Sequence, residues 1–73
     1  MENKTQLIER KANFYKDNNK QVHIKLDNGK FRNGFIKYIG IDFLIIQDFE
    51  NKEWTLFFLE IFDIEDYREK EEK

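Results

Sequence analysis

The residues of this sequence that are best suited to binding chemistry are cations and aromatic rings interleaved between positions 23 and 38. A lysine or arginine can contact a phosphate and an aromatic ring can stack on a base, and single-stranded nucleic acid needs little more. The pattern therefore predicts an RNA-binding face formed by His23, Lys25, Lys30, Arg32, Lys37 and Tyr38. Ordinary roles explain the same residues, because rings pack in cores and interfaces and lysines are commonly solvated. A neutral surface position on a strand explains His23 better than a ligand role does.

The same inventory makes catalysis and metal binding poor hypotheses. The sequence has one histidine, no cysteine, no serine and two threonines, so neither a Ser–His–Asp nor a Cys–His arrangement can be built. The carboxylates of Asp63, Glu65 and Asp66 are close in sequence, but such a run is usually a solvated surface. The glycines fit bends in strands and form no phosphate-binding loop. We therefore expect no enzyme activity, no metal and no cofactor.

Charge is distributed unevenly along the chain. The formal net charge of the 73 residues is −2 at pH 7. Residues 1–37 carry nine Lys/Arg against four Asp/Glu, a net of +5, and residues 38–73 carry four against eleven, a net of −7. Such a molecule can present one basic face despite its acidic total, which favours RNA binding. The alternative is that the charges intermix in three dimensions and no patch forms.

A hairpin and a third strand would position these side chains. Apolar and polar residues alternate over residues 22–26, which is typical of a half-buried strand. Asn28–Gly29 tolerates positive φ at both turn positions and predicts a tight turn. The partner strand is expected to begin at residue 30 or 31 and to end at 39, with a bulge or bend at Gly34. The apolar run that follows predicts a third strand over residues 42–49.

The flanking segments complete one domain over residues 1–66. An amphipathic helix is expected over about residues 5–16, capped by Asn3 or Thr5 and covering an open end of the strands. Residues 54–59 predict a fourth strand that is apolar on both faces, and residues 61–65 predict a fifth. Residues 67–73 are charged and are expected to form a solvated or disordered tail.

The chain holds more apolar material than so short a monomer easily buries. Its composition is 40% hydrophobic and 16% aromatic, with eight phenylalanines. We therefore expect part of this surface to be buried between subunits, since an exposed aromatic edge at residues 54–59 would otherwise promote aggregation. The candidate oligomer interface comprises Trp54, Leu56, Phe57, Phe58, Ile61 and Phe62.

The arrangement resembles the Sm-like (LSm) superfamily, and within it most closely the bacterial Hfq proteins. The resemblance is carried by the alternating first strand ending in Asn28–Gly29, by the family's Gly-x-x-x-x-Gly spacing from Gly29 to Gly34, and by the apolar run at residues 44–46. It covers about residues 5–66. It implies a mostly β fold, a small and strongly bent five-stranded Sm-like (SH3-like) barrel with an N-terminal α-helix. It also implies a ring of identical subunits, in which the fourth strand of one pairs with the fifth of the next, and RNA binding.

The sequence departs from these relatives where they hold a base. Hfq proteins use a glutamine in the helix, an aromatic residue before the third strand and Tyr-Lys-His at the end of the fourth. The corresponding positions here are Ile8, Asp42 and the Phe-Phe-Leu of residues 57–59, of which only Phe57 keeps the aromatic character. The Asp, Asn and Arg-Gly that serve other Sm-like proteins are missing as well. The family's uridine pocket therefore does not carry over.

Two functions follow as expectations. The first is an Sm-like homo-oligomeric ring that binds single-stranded RNA in RNA metabolism. The alternative is a self-assembling Sm-like or SH3-like scaffold that binds other proteins and not RNA, which the missing base pocket and the acidic total favour. The sequence shows neither a signal-peptide pattern nor an apolar run near 18 residues, so we expect a cytoplasmic protein that does not enter membranes.

Overall fold

The computed structural model of the chain describes residues 2–67. One α-helix is followed by five strands, with a single 3-10 turn (η1) between the last two. The elements are α1 (Lys4–Asp17), β1 (Gln21–Leu26), β2 (Phe31–Ile39), β3 (Phe43–Gln47), β4 (Glu53–Phe57), η1 (Phe58–Glu60) and β5 (Ile61–Asp66). The prediction of a mostly β chain with five strands and an N-terminal helix is confirmed.

Helix α1 begins at a capping box. The side-chain oxygen of Asn3 accepts from the Gln6 amide (2.8 Å), and the Gln6 side chain accepts from the Asn3 amide (3.0 Å), which satisfies two amides at the helix start. The helix buries Ile8 and Ala12 and packs against β2, β5 and η1. Within residues 2–67, no helix is long and apolar enough to cross a membrane.

The five strands form one antiparallel sheet in the order β4-β3-β2-β1-β5. Ile24 of β1 lies opposite Ile64 of β5, and Leu44 of β3 lies opposite Leu56 of β4, so the inward residues of each strand meet across the ladders. Strands β4 and β5 occupy the two edges, and no ladder joins them within residues 2–67. The sheet is therefore not closed, in contrast to the expected barrel.

The described residues share one apolar core between one face of the sheet and α1. Its members are almost fully shielded from solvent and none of them is polar. They are Ile8, Ala12, Val22, Ile24, Leu26, Ile36, Leu44, Ile46, Leu56, Phe58, Ile61 and Ile64.

Gly34 has a different role from the predicted bulge. It lies in regular register opposite Val22, and the break in register comes later, where Ile36 pairs with Ile46 and Tyr38 with Ile45. The expected bulge therefore occurs at Lys37. Gly34 is needed for another reason: its φ is 156°, and a side chain there would collide with the backbone carbonyl of Gln47 on β3.

The charged tail predicted for residues 67–73 lies outside the described residues, apart from Tyr67. The Tyr67 amide donates to the Gln21 carbonyl (3.1 Å), which extends the pairing of β5 with β1 by one bond.

Replacing Gly34 with alanine should destabilise the fold by more than about 2 kcal/mol, because the added methyl group meets backbone that has no room to move. The matched control is Gly29→Asn, since Gly29 has a φ of 88° and a Cβ atom added there would meet nothing within 4 Å. Asparagine tolerates that backbone, so the control should lose less than about 1 kcal/mol in urea unfolding. Equal losses in the two variants would contradict the close approach of β2 and β3.

Candidate nucleic-acid interface

A cation held against an indole ring marks the part of the sheet with the clearest binding chemistry. Arg32, the second residue of β2, alternates in phase with Gly34 and Ile36 and so takes the side of the strand that faces the core. Its guanidinium carbon lies 4.0 Å from the ring centroid of Trp54 on β4. This cation–π contact closes one end of the core and keeps the charge at its rim.

Asp48 holds the indole from the other side. Its Oδ2 accepts from Trp54 Nε1 (2.9 Å), and its Oδ1 accepts from the amides of Glu50 (2.9 Å) and Lys52 (3.0 Å). These hydrogen bonds, the one from Trp54 foremost, lower the pKa of Asp48 below its usual value of 3.8. The carboxylate thus fixes both the β3–β4 turn and the indole under Arg32.

A hollow of about 300 Å³ opens beside Arg32. Two exposed rings line it, Phe31 (53% exposed) and Phe49 (52% exposed). The Nε atom of Arg32 is buried and has no hydrogen-bond partner within residues 2–67. The remaining lining is polar and consists of Asn33, Asp48 and Glu50. The hollow therefore combines aromatic surface for stacking with a guanidinium that can donate to an acceptor.

Both rings of the hollow are braced by a second ring. The centroid of Phe31 lies 5.0 Å from that of His23 on β1, and Phe49 meets Tyr67 edge-on at 5.2 Å. His23 Nδ1 donates to Asn33 Oδ1 across the β1–β2 ladder (2.5 Å), which orients the imidazole. These contacts limit the rotamers of both exposed rings, so less entropy is lost when a planar ligand stacks on them.

Four of the six predicted RNA-binding residues lie on β1 or around the start of β2, but they are not equally free to contact RNA. His23 braces Phe31, and Arg32 lines the hollow. Lys30 is exposed in the turn just before β2, where its amide donates to Asn28 Oδ1 (2.9 Å). Lys25 is on β1, and its ammonium lies 3.3 Å from the carboxylate of Glu65 on β5, which reduces its charge as seen by a phosphate.

The other two predicted residues, Lys37 and Tyr38, lie beyond Gly34 on the second half of β2. The ring of Tyr38 is 54% exposed and sits 5.9 Å from Phe43, which in turn lies 6.2 Å from Phe57 on β4. This row of rings crosses the outer side of β2, β3 and β4. The predicted RNA-binding residues therefore do not form one surface.

Sequence reasoning missed the β3–β4 turn as a wall of the hollow and gave Trp54, which supports Arg32, another role. Phe49 and Asp48 were not singled out, and Trp54 was assigned to the oligomer interface. The Asp-Phe-Glu-Asn segment after β3 begins a polar turn with an aspartate. This pattern could have predicted that the Asp48 carboxylate accepts hydrogen bonds from the turn amides. The edge-on contact of Phe49 with Tyr67 depends on strand order and has no local signal.

The six residues predicted for an oligomer interface divide into two groups. Leu56, Phe58 and Ile61 are 5%, 2% and 0% exposed and belong to the core of the same chain. The exposed members are Trp54 (37%), Phe57 (50%) and Phe62 (64%). Only this second group presents side chains to a partner.

The basic and acidic halves of the chain interleave where β5 lies beside β1 and α1. Lys25 pairs with Glu65, and Lys11 donates to Asp63 (2.6 Å). Burial raises the pKa of Asp63, but hydrogen bonds from Lys11 and from the Ile64 amide outweigh it and hold the pKa below its usual value. These two pairs interrupt the continuous basic face that the charge of residues 1–37 suggested.

Within residues 2–67, no group of three or more histidine or carboxylate side chains is arranged to hold a metal ion. Neither the comparison with known protein families nor the comparison with curated proteins finds a match for this chain.

Removing the Asp48 carboxylate should change how stability depends on pH. Because the folded-state pKa is lowered, this group contributes its full stability above the unfolded pKa, and the contribution is lost as pH falls through the folded value. Asp48→Asn should therefore be less stable than the wild type at pH 7 and lose less stability between about pH 5 and pH 2, as measured by urea unfolding.

The control for this variant is Glu50→Gln, which keeps every hydrogen bond to Asp48 because Glu50 contributes only its backbone amide. It should follow the wild-type curve. If the stability of Asp48→Asn and that of the wild type fell equally as the pH is lowered, Asp48 would not anchor the turn.

Proposed function

We propose that this chain is an Sm-like protein whose copies assemble into a ring and bind single-stranded RNA at the hollow between Phe31 and Phe49. The observation that carries the proposal is the Arg32 guanidinium in a hollow that two exposed and braced rings line. A base stacked on either ring brings its edge or its phosphate to the guanidinium. Each stacked base contributes about 1–3 kcal/mol in proteins that bind single strands.

Assembly is supported by the two edges of the sheet. Strands β4 and β5 end the order β4-β3-β2-β1-β5, and each has an unpaired row of backbone groups within residues 2–67. Exposed aromatic side chains accompany both edges, Trp54 and Phe57 on β4 and Phe62 on β5. Pairing β4 of one copy with β5 of the next satisfies both edges at once, and repetition of that contact generates a closed ring.

A ring also compensates for the small number of free cations. Lys25 is paired with Glu65, which leaves Arg32 and Lys30 as the main cations at the hollow in the described part of the chain. One such site binds weakly, but several sites on one ring raise the effective concentration of a bound strand at its neighbours. RNA affinity is therefore coupled to assembly.

The ring should dissociate in the variant Phe62→Glu, because a carboxylate at the edge of β5 cannot be buried against an apolar edge without a large cost. Native mass spectrometry of the full chain measures this as a shift from the oligomer to the monomer. The matched control is Phe14→Glu, which changes an aromatic residue of similar exposure on α1 (54% against 64%) and should keep the wild-type mass. An unchanged mass for Phe62→Glu would rule out the edge of β5 as the contact.

RNA binding should weaken about tenfold or more in Phe31→Ala, through the loss of one stacking surface per subunit. Fluorescence anisotropy with labelled oligo(A) and oligo(U) measures the affinity and tests which base is preferred. The control is Tyr38→Ala, which removes a ring of nearly equal exposure (54% against 53%) from the other half of β2 and should bind as the wild type does. Loss of binding in Tyr38→Ala alone would move the site to the outer aromatic row.

A second candidate function is a self-assembling scaffold that binds proteins and not RNA. The Lys25–Glu65 and Lys11–Asp63 pairs favour it, because they remove cations that RNA would need. Salt separates the two functions: phosphate contacts make affinity fall steeply between about 50 and 200 mM salt, and an apolar protein contact changes little.

A further inference from the structure

The turn between β4 and β5 carries an apolar groove at the opposite end of β4 from Arg32. Two adjoining hollows of about 410 Å³ each share Phe57 and Leu59 as common lining. The first hollow is bounded by α1 and the β2–β3 turn, and the second by the β1–β2 turn. Ile41 and Leu59 are 93% and 76% exposed, although both are aliphatic. We call this feature the turn groove.

The turn groove is held in shape by backbone hydrogen bonds. The Phe58 amide donates to the Asp42 carbonyl (2.9 Å), which ties η1 to the β2–β3 turn. The Asp27 amide donates to the Glu60 carbonyl (2.9 Å), which ties η1 to the β1–β2 turn. The Glu60 carboxylate also accepts from the Phe57 amide (3.0 Å). The exposed aliphatic side chains therefore stand on a backbone that hydrogen bonds hold in place.

Acidic side chains surround the turn groove. Glu9 and Asp42 line the first hollow, and neither forms an ion pair within residues 2–67. The second hollow is lined by Asp27 and Glu60. The cations in residues 4–11 of α1 do not neutralise Glu9 or Asp42, because they already have acidic partners. These pairs are Lys4–Asp27, Arg10–Glu2 and Lys11–Asp63.

We propose that the turn groove binds an amphipathic peptide segment of another protein, with two apolar side chains and flanking lysine or arginine. One apolar side chain fills each hollow, against Phe57 and Leu59. The cations pair with Glu9 and Asp42 at the rim of the first hollow. Apolar anchors give the contact its affinity, and the carboxylates select the partner's charge and orientation.

This chemistry is unsuited to RNA and only half suited to a second copy of the chain. Among the described residues, no lysine or arginine that could receive a phosphate lines either hollow, and the nearby ammonium of Lys4 is already paired with Asp27. Within residues 2–67, the segment Lys30-Phe31-Arg32 has one exposed apolar side chain between two cations, and its arginine is already held against Trp54. Such a segment fills one hollow and leaves the other open.

The test uses the full chain and a fluorescein-labelled synthetic helix of about 15 leucine and lysine residues. Its counterpart replaces every lysine with glutamate and keeps the leucines. Anisotropy should give an affinity for the lysine peptide at least about tenfold higher than for the glutamate peptide. The double variant Ile41→Ser, Leu59→Ser should lose at least about tenfold in affinity for the lysine peptide. Equal binding of both peptides by the wild type overturns the proposal.

Matched variants test whether the carboxylates of the turn groove attract the lysine peptide and whether the peptide binds in that groove. Glu9→Gln with Asp42→Asn should weaken the lysine peptide severalfold at about 50 mM salt and less at about 500 mM. The controls Glu50→Gln and Phe31→Ser change a carboxylate and an exposed ring that do not line the turn groove, and both should bind as the wild type does. If either control loses as much affinity for the lysine peptide as the groove variants do, the proposal is overturned. Circular dichroism melts confirm that each variant is folded, which is expected for exposed positions.

Native mass, oligonucleotide affinity and peptide affinity of the double variant Ile41→Ser, Leu59→Ser show whether the groove binds a peptide, a second copy of the chain or RNA. Retained oligomeric mass and retained oligonucleotide affinity, together with lost peptide binding, support the proposal whether or not the wild type binds RNA. A change in native mass makes the groove a contact between copies and overturns it. A loss of oligonucleotide affinity makes the groove an RNA site and also overturns it.

Discussion

The pairing of β5 with β1 is the constraint on which the rest of the structure depends. It brings Ile64 opposite Ile24 and closes the core beneath α1. It also sends β4 to the other edge, so that both edges of the sheet lack partners within residues 2–67. The same pairing sets the electrostatics, because acidic β5 then lies beside the lysines of β1 and α1. Lys25 and Lys11 are paired as a result, and the cations left near the hollow lie around the start of β2.

Strand β4 connects two surfaces of opposite chemistry. At its beginning, Trp54 supports the guanidinium of Arg32 beside aromatic rings. At its end, Phe57 opens into an aliphatic groove bordered by Glu9 and Asp42. The first surface combines one guanidinium and two exposed rings with the carboxylates of Asp48 and Glu50, and the second combines aliphatic side chains with carboxylates and has no lining cation among the described residues. The two surfaces are separated by only the five residues of β4, and the guanidinium at one end and the aliphatic side chains at the other favour different ligands.

Both surfaces are organised by backbone groups that the sheet itself leaves unpaired. Asp48 accepts from two amides of the β3–β4 turn and from the indole, so the hollow next to Arg32 has one defined shape. The η1 turn is tied to two neighbouring turns by single backbone bonds. Turns are where a small sheet can vary its side chains without cost to the core, and rigid turns lower the entropy lost on binding.

The sequence by itself determined the elements that depend on neighbours along the chain. Asn3 predicted the helix start, the alternation at residues 22–26 predicted β1, and Asn28–Gly29 predicted the turn into β2, because capping, pleating and turn geometry are local. Tertiary structure decided what depends on strand order. It turned Arg32 onto Trp54, paired Lys25 with Glu65, moved the bulge from Gly34 to Lys37, and buried half of the predicted interface residues. These outcomes arise from contacts between residues far apart in the chain, which no local pattern encodes.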